Sequence, residues 1–205
     1  ESGKEHILQF GMENWWITDY ESFVKQSKSK INIDCDCLGV SGGWTPAVHL
    51  FTQSGGKLKF RDEDDVFIPN IYPSKQISIG SCNGDFTLNE IIKNSSNSLK
   101  EFLEIENTEY ENLNIVNSIE TDKRNIWLLP SDKVIGKTKP FVDYQNDATA
   151  KDIKLALREG FRSIEHVKRY TTTGMGTDQG KLGNMHALGI IADTAGVKMG
   201  ELGTT

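Results

Sequence analysis

Gly80-Ser81-Cys82-Asn83-Gly84 lies between the apolar run Gln76–Ile79 and a helical apolar period that begins near Phe86. A glycine-rich turn between a strand and a helix lets the backbone approach a ligand and aims the helix N-terminus at it, which is the setting for phosphate or ribose contact. The same turn also serves as a plain tight connection, and both readings stand at this point. Ser41-Gly42-Gly43 is a second turn of this kind, at the end of the β-branched run from Ile31. No G-x-G-x-x-G opens a βαβ unit in the sequence, so the usual first fingerprint of a dinucleotide fold is expected to be missing.

Other reactive side chains carry less. Cys35 and Cys37 form a C-x-C pair, but residues two apart share one face of a strand, and third and fourth ligands are missing. They read as buried strand cysteines. With Cys82 they make an odd set, against a disulfide framework. His6, His49, His166 and His186 are scattered, and none is spaced as a helical metal pair. No Ser/His/Asp or paired-carboxylate arrangement stands out; Glu13, Asp19 and the acidic cluster of residues 104–111 read as surface charge.

The elements that must position these residues follow from pattern. Thr45-Pro46 reads as N-cap and first helical position, Ala47–Gln53 as a short helix closed by Gly55-Gly56. Lys57–Phe60 and Val66–Ile68 read as strands joined by the acidic turn 61–65, Gln76–Ile79 as a further strand, and Phe86–Leu103 as a helix. Residues 105–139 turn polar and Asn/Glu-rich, with Ile126-Trp127-Leu128-Leu129 as a docking point. Thr149-Ala150-Lys151-Asp152 resembles a capping box for a helix ending at Gly160. Ser163–Tyr170 follows with Ile164 and Val167 inward, and Asn184–Thr194 makes a third helix stopped by Gly196.

Composition sets limits. A net charge of −6 over 205 residues argues against a nucleic-acid partner. No run approaches the ~20 apolar residues that span a bilayer, and the first residues do not read as a signal peptide, so no membrane partner and a cytoplasmic location are expected.

Val40–Phe60, Pro140–Lys181 and the closing Gly200–Thr205 together resemble the alpha subunit of heterotetrameric sarcosine oxidase, Thr171–Lys181 being the most distinctive stretch. The resemblance implies an α/β partial dinucleotide-binding domain at 1–105 and a linker or variable excursion at 106–138. It further implies a small all-α bacterioferritin-associated-ferredoxin-like domain at 139–198, and at 199–205 the lead-in to a folate-binding domain. In that family the complex demethylates sarcosine oxidatively to glycine and releases hydrogen peroxide. It uses NAD in the alpha subunit, FAD, FMN and tetrahydrofolate in the full assembly, and partner beta, gamma and delta subunits.

Carried over to this sequence, the family's turn implies NAD contacts at Gly80, Asp85 and Thr87, with Asn83 and Gly84 in the same turn and Ser41 and Gly42 as weaker candidates. Asp85 departs from the apolar residue usual there. A carboxylate is repelled by a pyrophosphate, so it must face a ribose, offer only backbone, or weaken binding. The helical module also resembles domains that hold a [2Fe-2S] cluster through C-x-C and C-x4-C pairs. Here those four positions fall on Asp143, Gln145, Asp178 and Gly183, none of them cysteine, so no iron–sulfur cluster is expected. Lys168, Arg169 and Thr171–Thr173 read either as a solvated face or as an approach to the FMN phosphate or a partner subunit. Two other readings compete: the large subunit of an opine or hydroxyproline dehydrogenase, and a non-catalytic interaction module that has lost the NAD site.

Overall fold

A computed structural model describes residues 36–37, 44–105, 127–128 and 137–203. The chain divides into two compact units, Glu1–Asn125 and Ile126–Thr205.

In the first unit, α1 (His49–Gln53) leads into β1 (Lys57–Arg61), which pairs antiparallel with β2 (Val66–Ile71). Alternation puts Val66 and Ile68 inward, where both are buried. The register shifts between Lys57 and Leu58, opposite Pro69, which has no N–H to give the ladder. Phe51 of α1 is also buried, edge-on to Tyr72 at 4.9 Å between ring centroids. Its ring lies where a Cβ on Gly56 would come within 2.4 Å, so that glycine is required by close approach. A 3-10 turn, Gly80–Asn83, precedes α2 (Leu88–Leu103).

Three expectations are corrected by the structure. Gln76–Ile79 is not a strand, because no neighbouring chain pairs with it among the described residues. The first helix starts at His49, with Val48 at its N-cap; the Val48 N–H is taken by the Pro46 carbonyl at 3.0 Å, so Thr45-Pro46 forms a preceding turn. Cys37 is exposed, since residues 36–37 belong to no strand; Cys35 lies outside the described residues. Among its described residues this unit holds one antiparallel strand pair.

The second unit begins with Trp127 and the short pair β3 (Phe141–Asp143) and β4 (Ala148–Thr149). It continues with α3 (Ala150–Arg158), α4 (Ile164–Thr171) and α5 (Asn184–Ala195), and closes on the 3-10 turn Met199–Glu201. Thr149 caps α3 in the expected capping box, its hydroxyl accepting from the Asp152 N–H while the Asp152 carboxylate accepts from the Thr149 N–H. Ala150, Ile153 and Ala156 repeat at three-residue spacing and are fully buried, as are Ile164 and Val167 of α4. Helix α5 is the central element: Ala187, Leu188, Gly189, Ile190, Ile191 and Ala192 are all buried, and it packs against α3. Gly196 ends it in the left-handed conformation, as expected.

The module is therefore not all-α. The chain from Val142 must turn back sharply to reach the α3 cap, and Asp143 holds that turn by accepting from the Gln145 and Asn146 N–H groups at 2.8 and 3.0 Å. The second compact unit runs from Ile126 to Thr205. Trp127 lies over Gly189, where a Cβ would come within 2.1 Å of the indole, and Met199 is buried next to α5.

Candidate functional site

Two polar constellations stand out, one in each unit. The first is the Gly80–Thr87 turn. Gly80 (φ +67) and Gly84 (φ +83) adopt the left-handed conformation that permits a reversal of this tightness. The turn is closed by Gly84 N–H to Ser81 O at 3.1 Å and Asp85 N–H to Gly80 O at 3.2 Å. Cys82 spends its thiol on the Ile79 carbonyl. Thr87 caps α2 reciprocally with Glu90, so both its hydroxyl and its N–H are engaged.

Asp85 is buried, 7% exposed. Its Oδ1 accepts from the side chain of Asn94, in the second turn of α2, at 2.8 Å, and its Oδ2 has no partner. The charge is answered by a residue that sequence reasoning passed over. Arg61, at the end of β1, forms a bidentate pair with Asp64 and donates from Nη2 to the Gly84 carbonyl at 2.6 Å. The hydrogen bond to Asp64 raises the Arg61 pKa against the opposing effect of burial, and the charges of Asp64, Asp85 and Glu63 add to it. No local pattern links positions 61 and 84, which meet only when the hairpin packs on the turn. Gly80, Asn83, Gly84, Asp85 and Thr87 are thus brought into one turn; Ser41 and Gly42 lie outside the described residues.

The second constellation ties the β3–β4 turn to the glycine-rich loop before α5. Asp143, 6% exposed, accepts at Oδ2 from the Gly174 N–H at 2.7 Å and from Asn146 Nδ2 at 3.4 Å, besides its two turn amides at Oδ1. Burial alone would raise its pKa, but the amides of Gly174, Asn146 and Gln145 outweigh burial and hold it below 3.8. Gln145 Oε1 accepts from the Thr177 N–H and hydroxyl at 2.5 and 2.9 Å. Asp178 accepts from the N–H groups of Gly180 and Leu182 at 3.2 and 3.4 Å. A Cβ at Gly183 would stand 2.7 Å from the Val142 carbonyl oxygen. The sequence marked these positions only by what they are not; the Asp143-x-x-Asn146 spacing of an Asx turn was the signal for what they do.

Nearby groups are largely self-satisfied. Lys168 and Arg169 both pair with Glu165 on their own helix, at 4.0 and 3.7 Å. Thr171 donates to the Val167 carbonyl, and Thr173, fully buried, meets the Thr171 hydroxyl at 2.7 Å. His186 is edge-on to Trp127 at 5.9 Å. Burial lowers its pKa below the ordinary 6.5, against a smaller opposing effect of a bond to the Leu182 backbone. Among the described residues, no three His, Cys, Asp or Glu side chains are grouped to hold a metal, and no helix is long and apolar enough to cross a membrane.

Comparison with known proteins bears out the resemblance. Residues 137–205 match the sarcosine oxidase A3 domain. Over 184 residues the chain is 33% identical to sarcosine oxidase subunit alpha of Rhizobium meliloti (strain 1021), covering 84% of this chain and 18% of that protein. The subunits alpha of Corynebacterium sp. strains P-1 and U-96 are 32% and 33% identical over 180 residues, with the same coverage. The chain is thus similar to sarcosine oxidase alpha subunits and spans less than a fifth of their length. Among solved structures, L-proline dehydrogenase from P. horikoshii aligns with a TM-score of 0.43 at 18% identity, over 81% of this chain and 35% of that one.

Proposed function

We propose that this chain is a stretch of the alpha subunit of a cytoplasmic, heterotetrameric sarcosine oxidase. That assembly is an oxidoreductase that converts sarcosine to glycine with release of hydrogen peroxide, using FAD, FMN and tetrahydrofolate together with beta, gamma and delta partners. The observation that carries this reading is the similarity to three sarcosine oxidase alpha subunits over 84% of the chain. Within the assembly, the first unit belongs to a dinucleotide-binding domain and contributes to an NAD site, and the second serves subunit assembly.

The Gly80–Thr87 turn fits one part of NAD better than another. Asp85 Oδ2 is a buried acceptor without a donor, and a ribose hydroxyl is a donor; a phosphate oxygen is not. Arg61 offsets the Asp85 charge, so the carboxylate need not repel an anionic cofactor as strongly as the sequence suggested. Gly80 and Gly84 give the turn its left-handed reversals, and Thr87 acts by fixing the start of α2. When bound, NAD would supply a two-electron acceptor or a structural anchor; Asp85 would orient its ribose through Oδ2.

The test uses the complete subunit co-expressed with its partner subunits. Anaerobic addition of sarcosine should bleach the flavin, whereas an opine or hydroxyproline should not. NAD titration should saturate, and Asp85→Ala should weaken it by roughly 10-fold or more, the worth of a hydrogen bond to a charged group. Bleaching by another amine would move the protein to a sister dehydrogenase. No bleaching and no saturable NAD binding would leave a non-catalytic interaction module.

A further inference from the structure

Domains that the second unit resembles hold a [2Fe-2S] cluster at positions that fall here on the β3–β4 turn and the loop before α5, and the residues present do not fit one. Such a cluster needs four thiolates, and the four positions hold two carboxylates, an amide and a glycine. Their oxygen atoms already accept from the chain: Asp143 from Gln145, Asn146 and Gly174, Gln145 from Thr177, Asp178 from Gly180 and Leu182. The fourth position is closed on steric grounds, since any side chain at Gly183 would press on the Val142 carbonyl. The Gln145 side chain also packs over Gly176, where a Cβ would come within 2.3 Å of Oε1.

We propose that Asp143, Gln145 and Asp178 form a metal-independent latch, which takes over from a cluster the task of tying the β3–β4 turn to the 174–183 loop. A cluster ties two segments by covalent ligation and gathers backbone N–H groups around its sulfur atoms. The latch does the same with side-chain oxygens. Asp143 reaches across 31 positions to Gly174 and Gln145 across 32 to Thr177, so the two segments are joined by long-range bonds side by side. Asp178 acts within the loop, holding the Gly180–Leu182 reversal that leads into α5. Replacing iron and sulfide by oxygen acceptors leaves the module no redox centre, and its stability owes nothing to iron supply.

Amide hydrogen exchange on the full chain tests this. In metal-free buffer the Gly174 and Thr177 amides should be protected, and neither a chelator nor ferrous iron with sulfide should change that. Asp143→Asn should speed exchange at Gly174 by roughly 10- to 100-fold, and Gln145→Leu should do so at Thr177, as expected for a lost acceptor. The second variant carries the test if the first does not fold. Loss of protection with chelator, appearance of cluster absorption on reconstitution, or unchanged exchange in Gln145→Leu would each overturn the latch.

Discussion

The two units use helices in opposite ways. Helix α5 buries Ala187 through Ala192 without a break, and Ile153, Ile164 and Val167 on the other helices of its unit are 1% exposed or less. Helix α2 is longer and far more one-sided in its apolar pattern, yet none of its residues is buried, and Leu88 and Leu103 are 60% and 55% exposed. An isolated helix of that length is marginal in water, since most helical stability in proteins comes from packing an apolar face. What holds α2 is its start: the Thr87–Glu90 box and the Asn94–Asp85 bond. The second unit has a core; the first, in its described part, has a hairpin with a capped helix beside it.

The largest expected effect follows directly. Ile153→Ala should cost about 2–5 kcal/mol, the range for removing a fully buried aliphatic side chain, whereas Leu103→Ala should stay within about 0.5 kcal/mol, as for an exposed site. Urea unfolding followed by near-UV signals from each unit measures both. Equal costs would break the contrast and mean that α2 is covered in solution.

Next comes the latch carboxylate. Asp143→Asn should cost roughly 1.5–3 kcal/mol, the worth of a hydrogen bond to a charged group. The pH dependence gives the finer signature. Because Asp143 has a folded-state pKa below its ordinary 3.8, its contribution is fully present above 3.8 and is lost as pH falls from there through the folded-state value. Asp152 is lowered too, chiefly by the Thr149 hydroxyl, and adds to the same acid limb. Asp143→Asn should therefore flatten the stability curve below about pH 4 without removing the Asp152 share. An unchanged acid limb would mean that Asp143 gains nothing from its amides.

How much of this was legible in the sequence tracks how local each feature is. The α3 cap, the inward pair Ile164 and Val167, and the Gly196 stop were readable because capping, helical period and left-handed glycine act within a few residues. The β1–β2 hairpin was readable for the same reason. What was missed depends on contacts between distant segments. Nothing near Arg61 announces Gly84, 23 positions away, and nothing near Trp127 announces Gly189. Gln76–Ile79 has the composition of a strand, but a strand exists only where a neighbour pairs with it. Asp143, Gln145 and Asp178 were legible as lost ligands; their new role required knowing which amides they face.

Caps allow a smaller and cleaner comparison, because both units use the same device. Thr149→Ala and Thr87→Ala should each cost about 1 kcal/mol. The consequences should differ in kind. Helix α3 has Ala150, Ile153 and Ala156 to hold it in place, so Thr149→Ala should lower the melting temperature and leave helicity intact. With no buried residue, α2 should fray, and Thr87→Ala should lower the helical signal at 222 nm before any unfolding transition. Intact helicity in Thr87→Ala would show that packing, not the cap, sustains α2.

The smallest effect concerns a single ring in the better-packed unit. His186 lies edge-on to Trp127, and burial lowers its folded-state pKa below the ordinary 6.5. The unfolded chain then binds the proton more readily than the folded one, and stability declines as pH falls from 6.5 toward the folded value. This limb lies at higher pH than the Asp143 limb, so the two are separable in one titration. His186→Gln keeps a polar side chain of similar reach but cannot take up a proton, and thermal unfolding between pH 7.5 and 5 should show a weaker pH dependence than in the unmodified chain. If the two curves run parallel, the ring is hydrated in solution, and the Trp127 contact that extends the second unit beyond its helices does not persist there.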